Sequence, residues 1–224
     1  RRALDRCEHA VPVFFRDDDG GWGDPELRAL VGLFAEHEVP LDLALIPAAV
    51  TPPLADWLAE RAGPGLGLHQ HGYEHVSHER KGRKCEFGAA RGYRKQRQDI
   101  ALGQHRLKVV FGRKLDPIFT PPWNRCTADT ALALRRLGFR ALSRDVTAKP
   151  IEGADQLRDI KVSVDWMKYR DGDQPDLAAL GDRLSRRMAA WMHAPAAPGR
   201  NAGWKWLDVV TEPLETNEDR QATS

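Results

Sequence analysis

The sequence has few cysteines, no long apolar run and almost no net charge, and each shortage argues against a class of protein. Its 224 residues include three cysteines, Cys7, Cys85 and Cys126, which form no CxxC pair and no repeated spacing. A zinc finger or a disulfide framework is therefore not indicated. The formal net charge is +2, and the basic residues are spread along the chain. This distribution argues against a nucleic-acid partner.

No apolar run is long enough to cross a bilayer, and the first residues lack the apolar core of a secretory signal. We therefore expect no membrane partner and a location in the cytoplasm. Because the sequence begins with Arg1 rather than methionine, an exported form stays open. The length suits one sizeable core, so we expect a single domain over residues 1–211 and a polar, flexible tail over 212–224.

Short β-branched and aromatic runs alternate with amphipathic segments. Six runs predict strands, at 11–15, 41–47, 65–71, 117–123, 139–143 and 160–166. Helices are predicted at 23–40, 52–63, 89–112, 127–138 and 175–191, with a short one near 204–210. In the first helix we expect Asp24 as the N-cap and Pro25 at the first helical position. This alternation predicts parallel pairing through right-handed crossovers, and hence an α/β sheet or an α/β barrel.

Polar residues stand where several of these strands end. Three adjacent aspartates, Asp17, Asp18 and Asp19, follow the first strand. The third strand runs into the segment 69–78, which holds four of the eight histidines. Because the carboxyl ends of parallel strands meet on one face, we expect these groups to converge on one rim.

The aspartates and histidines together predict a divalent-metal site. Adjacent ionised carboxylates repel one another, and a divalent cation turns that repulsion into attraction. A carboxylate with two imidazoles forms a three-ligand site that leaves a position for water. His71 and His75 are four residues apart, so one helical turn or a tight loop would aim both at one point.

Five short motifs then recur in a familiar order: "RDDDG", "HGYEH", "FTPPWN", "VDW" and "WMH". They resemble those of the NodB-like polysaccharide deacetylases, the metal-dependent family-4 carbohydrate esterases. The resemblance extends from about Val11 to about Val210, and it is carried by the order and spacing of the motifs more than by any one of them. It implies a fold of the α/β class, a distorted (β/α) barrel.

The resemblance assigns roles to the polar residues. It makes Asp18 the general base and Asp19 a metal ligand. With His71 and His75, Asp19 would hold a divalent ion, expected to be Zn²⁺. His193 falls on the general acid that protonates the departing amine.

The remaining motifs imply contacts with the substrate. The third motif falls on Pro121, Pro122 and Trp123, where a backbone N–H after the prolines helps to polarise the substrate carbonyl. The segment from Val164 to Trp166 resembles the motif that flanks the general acid. A pyranose face stacks on a flat apolar ring, so aromatic residues near the rim are candidate sugar platforms. The candidate platforms are Trp22, Tyr73, Trp123 and Trp166, and further candidate substrate contacts are Pro122 and Arg125.

One position departs from the family pattern. The third motif of the family normally begins with an arginine that holds the catalytic aspartate, and this chain has Thr120 there. Arg16 and Arg125 are the candidates to supply the missing cation. Without one, Asp18 loses an orienting partner and turnover is in doubt.

The resemblance implies hydrolysis of an amide-linked acetyl or similar acyl group on a sugar, an oligosaccharide or a related small molecule. Two alternatives keep the fold: a metal- and carbohydrate-binding barrel that has lost turnover, and a hydrolase of another C–N bond such as that of a cyclic amide. Two histidines and a carboxylate also form the facial triad of non-haem iron oxygenases. The carboxylate-first order and the α/β pattern argue against that third alternative.

Overall fold

The computed structural model describes residues 15–145 and 148–162, together with two short strands at 170–171 and 174–175. The strands are β1 (Phe15–Gly20), β2 (Leu41–Leu45), β3 (Leu66–His71), β4 (Leu115–Thr120), β5 (Ala141–Asp145), β6 (Arg158–Val162), β7 (Arg170–Asp171) and β8 (Gln174–Pro175). The helices are α1 (Asp24–Glu36), α2 (Pro52–Arg61), α3 (Tyr93–Phe111) and α4 (Ala128–Arg136). Single 3₁₀ turns cover Gly112–Lys114 and Pro122–Asn124.

Six of the strands form one parallel sheet whose spatial order, β1-β2-β3-β4-β5-β6, follows the chain. Strands β7 and β8 pair with each other in antiparallel fashion. Since each strand of the large sheet lies beside the next one in sequence, the order never reverses, as it would in a doubly wound open sheet. This is the winding of a (β/α) barrel, which confirms the predicted fold class.

The sheet curls so strongly that its first and fifth strands touch. Arg16 of β1 donates a hydrogen bond of 2.6 Å from Nη1 to Oγ of Ser143 on β5. In a flat sheet these strands would lie about 19 Å apart, at about 4.8 Å for each of four steps. One arginine side chain cannot cross that distance, so the two strands face each other across a barrel interior.

The helices cover the outer face of the sheet with two apolar layers. One joins β1, β2 and β3 to α1, α2 and α3, and it contains the fully buried Leu43, Leu45 and Leu68. The other packs Phe119 and Leu142 of β4 and β5 against α4. Successive strand residues point to opposite faces, so the neighbours of these residues face the barrel interior.

The interior is polar at the end that forms the rim. Arg16, His69 and His71 lie there, while Ile118, Ala141 and Ile160 form a small separate apolar cluster. The site residues are therefore held by the inner side of a sheet whose outer side supplies most of the apolar packing. Among the described residues, no helix combines the length and the apolar character needed to cross a membrane.

Several predicted boundaries were wrong, including both ends of β4 (Leu115–Thr120, expected at 117–123) and the start of α3 (Tyr93, expected at 89). β1 does not stop before the aspartates but continues through them to Gly20, with an irregularity in its pairing to β2 between Asp17 and Gly20. The N-cap of α1 is Gly23, in the left-handed region at φ 64°, so Asp24 takes the first helical position and Pro25 the second, and neither predicted place is confirmed. β5 begins at Ala141, two residues later than expected. Phe139 still donates to the carbonyl of Leu134 in α4, and the N–H of Arg140 donates to the carbonyl of Pro117 on β4. The helices predicted at 175–191 and 204–210 lie outside the described residues.

The outer apolar layer should dominate the stability of the protein. Leu43 is fully buried, so Leu43→Ala should lower the free energy of unfolding by about 2–5 kcal/mol. Leu102 on α3 is 43% exposed, and the same truncation there should cost far less. Urea denaturation of both variants measures the difference, and equal losses would contradict this account of the core.

Candidate active site

The three predicted metal ligands, Asp19, His71 and His75, meet at the rim of the barrel. Nε2 of His71 lies 3.1 Å from Oδ1 of Asp19, and Nε2 of His75 lies 3.0 Å from the same oxygen. One ligand atom from each residue falls within 4.8 Å of the others. Asp19 comes from the end of β1, His71 is the last residue of β3, and His75 follows in a loop.

The ring nitrogen of His71 that faces Asp19 is suited to bind a cation, as the hydrogen bond of the other ring nitrogen shows. Nδ1 of His71 lies 3.0 Å from the carbonyl oxygen of Thr120. A carbonyl oxygen only accepts, so Nδ1 carries the proton, and in the neutral ring Nε2 presents a lone pair to Asp19. A lone pair and a carboxylate oxygen repel unless a proton or a metal ion stands between them. The carbonyl that fixes the ring of His71 is the kind of support that histidine ligands usually have.

Asp19 is held in its charged form. Burial by itself would raise the pKa of this carboxyl. When a proton and not a metal ion stands between Asp19 and the rings, the hydrogen bonds and charges of His71 and His75 outweigh burial and hold the pKa well below its usual range. The carboxylate is therefore ionised at neutral pH, as a ligand must be.

A buried carboxylate shapes the loop that carries His75. Oε1 of Glu86 accepts hydrogen bonds from the backbone N–H groups of Tyr73 (3.2 Å) and Glu74 (2.9 Å), and Oε2 accepts one from His75 (3.3 Å). Glu86 is only 2% exposed. The spacing of four residues between the histidines is thus bridged by a tight loop around an anion and not by a helical turn.

Strained backbone positions gather at this rim. Asp19 (φ 66°), His75 (φ 58°), Trp123 (φ 55°) and Asn124 (φ 57°) are four of the five non-glycine residues of the described chain with positive φ. This conformation disfavours most side chains, and it persists where surrounding contacts enforce it. Its concentration here indicates that the loops are shaped to aim particular side chains.

Two tryptophan rings enclose His75. The ring centroid of Trp22 lies 4.8 Å from that of His75, and the centroid of Trp123 lies 4.4 Å away. Trp22 is 50% exposed. Both rings therefore lie beside Asp19, as the platform hypothesis requires, although part of their surface is used to orient the histidine.

Arg16 supplies the cation that Thr120 does not. Its Nε lies 2.7 Å from Oδ1 of Asp18, and its Nη2 donates to Oδ2 at 2.9 Å, a two-pronged contact. The guanidinium also donates to Ser143 (2.6 Å) and to Oδ1 of Asn124 (3.2 Å), so its position is fixed from three sides. The other candidate, Arg125, donates to the carbonyl of Lys84 instead, at 2.8 Å.

The pairing sets the charge of Asp18. Burial opposes ionisation of this carboxyl, but the charge of Arg16, followed by that of His71, lowers its pKa below the usual value.

Thr120 is fully buried, and its Oγ1 lies 2.9 Å from Nε2 of His69. Burial lowers the pKa of His69 to about 3, so this histidine is neutral.

The other predicted substrate contacts differ in where the structure places them. Pro121 and Pro122 are buried at the end of β4. The contacts of Tyr73 among the described residues are made by its backbone, to Glu86 and Ala48. Arg125 is half-buried beside the loop of Lys84. His193 and Trp166 lie outside the described residues, so the general acid and one platform stay predictions.

Sequence reasoning missed Glu86, Ser143 and Asn124. Each acts by accepting hydrogen bonds from a site segment or from Arg16. Single polar residues of this kind carry no spacing signal. Asn124 directly follows Trp123 in "TPPWN", which is the one hint that the sequence offered.

The fold recurs in solved structures of deacetylases and esterases. IcaB from Ammonifex degensii matches with a TM-score of 0.55 and 21% identity, over 81% of this chain and 73% of that one. A family 4 acetyl xylan esterase from Clostridium thermocellum, in complex with a cobalt ion, matches at 0.53 and 11%, over 80% and 83%. A mutant CE4 family pseudoenzyme with restored enzymatic activity matches at 0.53 and 15%, over 80% and 54%.

No protein-family model matches the sequence, and a comparison with curated proteins finds no match. At identities this low, the structural likenesses establish the fold alone. That fold is the NodB-like distorted barrel of the family-4 carbohydrate esterases, in agreement with the resemblance of the motifs.

Loss of the Glu86 carboxylate should weaken the site without removing a ligand. Glu86→Ala frees the loop of His75, and we expect zinc affinity to fall by roughly 10–100-fold, the usual effect of residues that orient ligands. Competition with a zinc-binding dye measures the affinity, and Glu60→Ala on the exposed face of α2 is the matched control. An unchanged affinity in Glu86→Ala would show that the loop does not depend on this carboxylate.

Asp17 should give the metal-free protein a pH-dependent stability. Burial, and then the charges of Asp18 and Asp19, raise the pKa of Asp17 to about 7. A raised carboxyl pKa stabilises the folded state at low pH, and this contribution is lost as the pH rises through the folded value. In chelator-treated protein the contribution of Asp17 to the free energy of unfolding should therefore decrease between about pH 4 and pH 7, while the lowered pKa of His69 acts in the opposite direction. The stability difference between the parent and Asp17→Asn, measured by urea melts, isolates this contribution: the difference should decrease over that pH range, and a difference that does not change with pH would contradict the assignment.

Proposed function

We propose that this protein is a metal-dependent hydrolase that removes an acetyl or similar acyl group from an amide nitrogen of a sugar or related compound. One observation carries the proposal: the trio of Asp19, His71 and His75 stands next to an aspartate that Arg16 holds ionised. Solved deacetylases and esterases of the same fold support removal of an acyl group as the reaction class.

The metal is proposed from the chemistry of the ligands. Two neutral imidazoles and a carboxylate suit Zn²⁺ and comparable divalent ions, and three protein ligands leave a position open. When bound, such an ion supplies Lewis-acid chemistry and makes water a stronger acid at neutral pH. The cobalt ion in the acetyl xylan esterase supports a divalent ion without identifying the one used here.

Asp18 is the proposed general base. It neighbours the ligand Asp19 in sequence, and the two-pronged contact with Arg16 fixes the direction of its carboxylate. A fixed, ionised carboxylate is suited to accept the proton of a water molecule as that water attacks the acyl carbon. Arg16 acts as a positioning residue, because it contacts the base and not the reacting atoms.

The remaining roles complete the reaction. The backbone N–H of Trp123 would donate a hydrogen bond to the oxyanion that develops on the acyl carbon. His193 would protonate the departing amine. Both roles rest on the motif resemblance together with the position of Trp123 beside His75.

Two of the alternatives are now weaker. A parallel sheet covered by helices is not the double-stranded β-helix expected of the oxygenase alternative. The binding-barrel alternative rested on Thr120, and Arg16 now occupies the place of the missing cation. Because a pseudoenzyme of the same fold is known, the experiment below still tests the binding-barrel alternative. It also tests the alternative of a cyclic amide substrate.

Acyl release is the direct test of the function. Zinc-loaded protein should release acetate from N-acetylated sugars or their oligosaccharides, and Asp18→Asn should lower the rate by roughly 10²–10⁴-fold with its zinc content unchanged. Asp56→Asn on the exposed face of α2 is the matched control. Turnover of a cyclic imide without acetate release would favour the cyclic-amide alternative. Metal binding without turnover of either class would favour the binding barrel.

The role of Arg16 predicts a shift in the pH–rate profile. In Arg16→Met the cation that lowers the pKa of Asp18 is gone, so the base becomes protonated at higher pH. The acidic limb of kcat should therefore move to higher pH, and Arg16→Lys should shift it less because it keeps the charge. A lower rate with an unmoved limb would reduce Arg16 to a purely structural role.

A further inference from the structure

One cation, Lys84, stands beside the tryptophan that borders His75, and two arginines outside the catalytic groups lie near Lys84. We call Arg83, Lys84 and Arg125 the basic rim. Nζ of Lys84 lies 6.0 Å from the centroid of the Trp123 ring, and Trp123 lies 4.4 Å from His75. The Trp123 ring therefore lies between the basic rim and His75, one of the predicted metal ligands.

Side-chain hydrogen bonds to backbone carbonyls join the two segments that carry the basic rim, residues 83–85 and residues 125–126. Nη1 of Arg125 donates to the carbonyl of Lys84 at 2.8 Å, and Sγ of Cys85 donates to the carbonyl of Arg125 at 3.4 Å. A parallel bridge between Phe87 and Cys126 continues the contact. The cations are thus presented by joined segments and not by a free loop.

Among the described residues, the nearby carboxylates bind backbone groups and do not pair directly with the basic rim. Glu86 is occupied by the backbone of the His75 loop, and Glu79 accepts from the N–H of Ala90 at 3.1 Å. Within the part of the chain that the structure describes, none of the three rim cations forms an ion pair. Burial, and then the like charge of Arg83, lowers the pKa of Arg125. Like charges held together in this way are stabilised by an external anion.

We propose that the basic rim binds an anionic group, a phosphate or a carboxylate, on the acylated sugar whose acyl group lies at the metal trio. The inference rests on the proposed function for the identity of the sugar. Arginine suits this task because its guanidinium binds phosphate and carboxylate with two parallel hydrogen bonds. Trp123, between the trio and Lys84, would lie against the pyranose and set the distance from acyl group to anion.

Binding of matched sugars tests the proposal. The probes are N-acetylglucosamine, its 1-phosphate and its 6-phosphate, with N-acetylmuramic acid as the carboxylate, each titrated calorimetrically into zinc-loaded protein. We expect at least one anionic sugar to bind about tenfold more tightly than the neutral one, and this preference should fall to about twofold or less in the double variant Arg83→Ala/Lys84→Ala. Which probe is preferred distinguishes phosphate from carboxylate.

Lys108→Ala is the matched control, because Lys108 is exposed near the far end of α3. It should keep the full preference. The proposal is overturned by equal binding of neutral and anionic sugars, or by no detectable binding of any anionic sugar. It is also overturned if the double variant keeps the full preference for anionic sugars, because the metal would then be the group that binds the anion. A loss of preference in Lys108→Ala as large as in the double variant would overturn it as well.

The two proposals fail in different ways. A preference for anionic sugars that depends on the basic rim, without acyl release from any of them, would contradict the proposed function and keep the anion subsite. Equal kcat/KM for acyl release from neutral and anionic sugars would contradict the subsite and keep the function.

Discussion

A buried guanidinium must find partners for its charge, and the pairing of Arg16 organises the interior of this barrel. Its side chain binds Asp18 on its own strand, Ser143 on the opposite wall and Asn124 after β4. An unpaired charge in this place would be strongly destabilising. The same contacts that pair the cation also tie the walls together and fix the carboxylate proposed as the general base.

The rim depends on this arrangement. Arg16 pairs with Asp18, while the adjacent Asp19 is held in its charged form by two histidines. The turn at Asp19, the loop around Glu86 and the turn at Trp123 each use backbone that side chains disfavour. The interior ion pair and the outer apolar layers provide the rigidity that holds such conformations. The charged residues of β1, from Arg16 to Asp19, therefore contribute both to the stability of the barrel and to the candidate active site.

The fold and the convergence of Asp19, His71 and His75 were predictable because strong local signals carried them. Alternating apolar segments indicated β/α winding, and Asp19, His71 and His75 carried a spacing that the motif resemblance could assign. The replacement of the motif arginine could only be narrowed to Arg16 or Arg125, because the choice depends on which side chain crosses the barrel. The extension of β1 through three aspartates ran against strand propensity and was missed, since pairing of β1 with β2 overrides that propensity. Glu86 left no pattern at all, because its role is to bind backbone groups distant in sequence.

The central claim is that Asp19, His71 and His75 form a metal site, and metal content tests it most directly. Protein stripped of metal and reloaded with zinc should hold about one zinc per chain by elemental mass spectrometry, the stoichiometry of a single three-ligand site. His75→Ala prepared in the same way should hold almost none. Equal and negligible zinc in both proteins would contradict the metal site, and the catalytic account would fall with it.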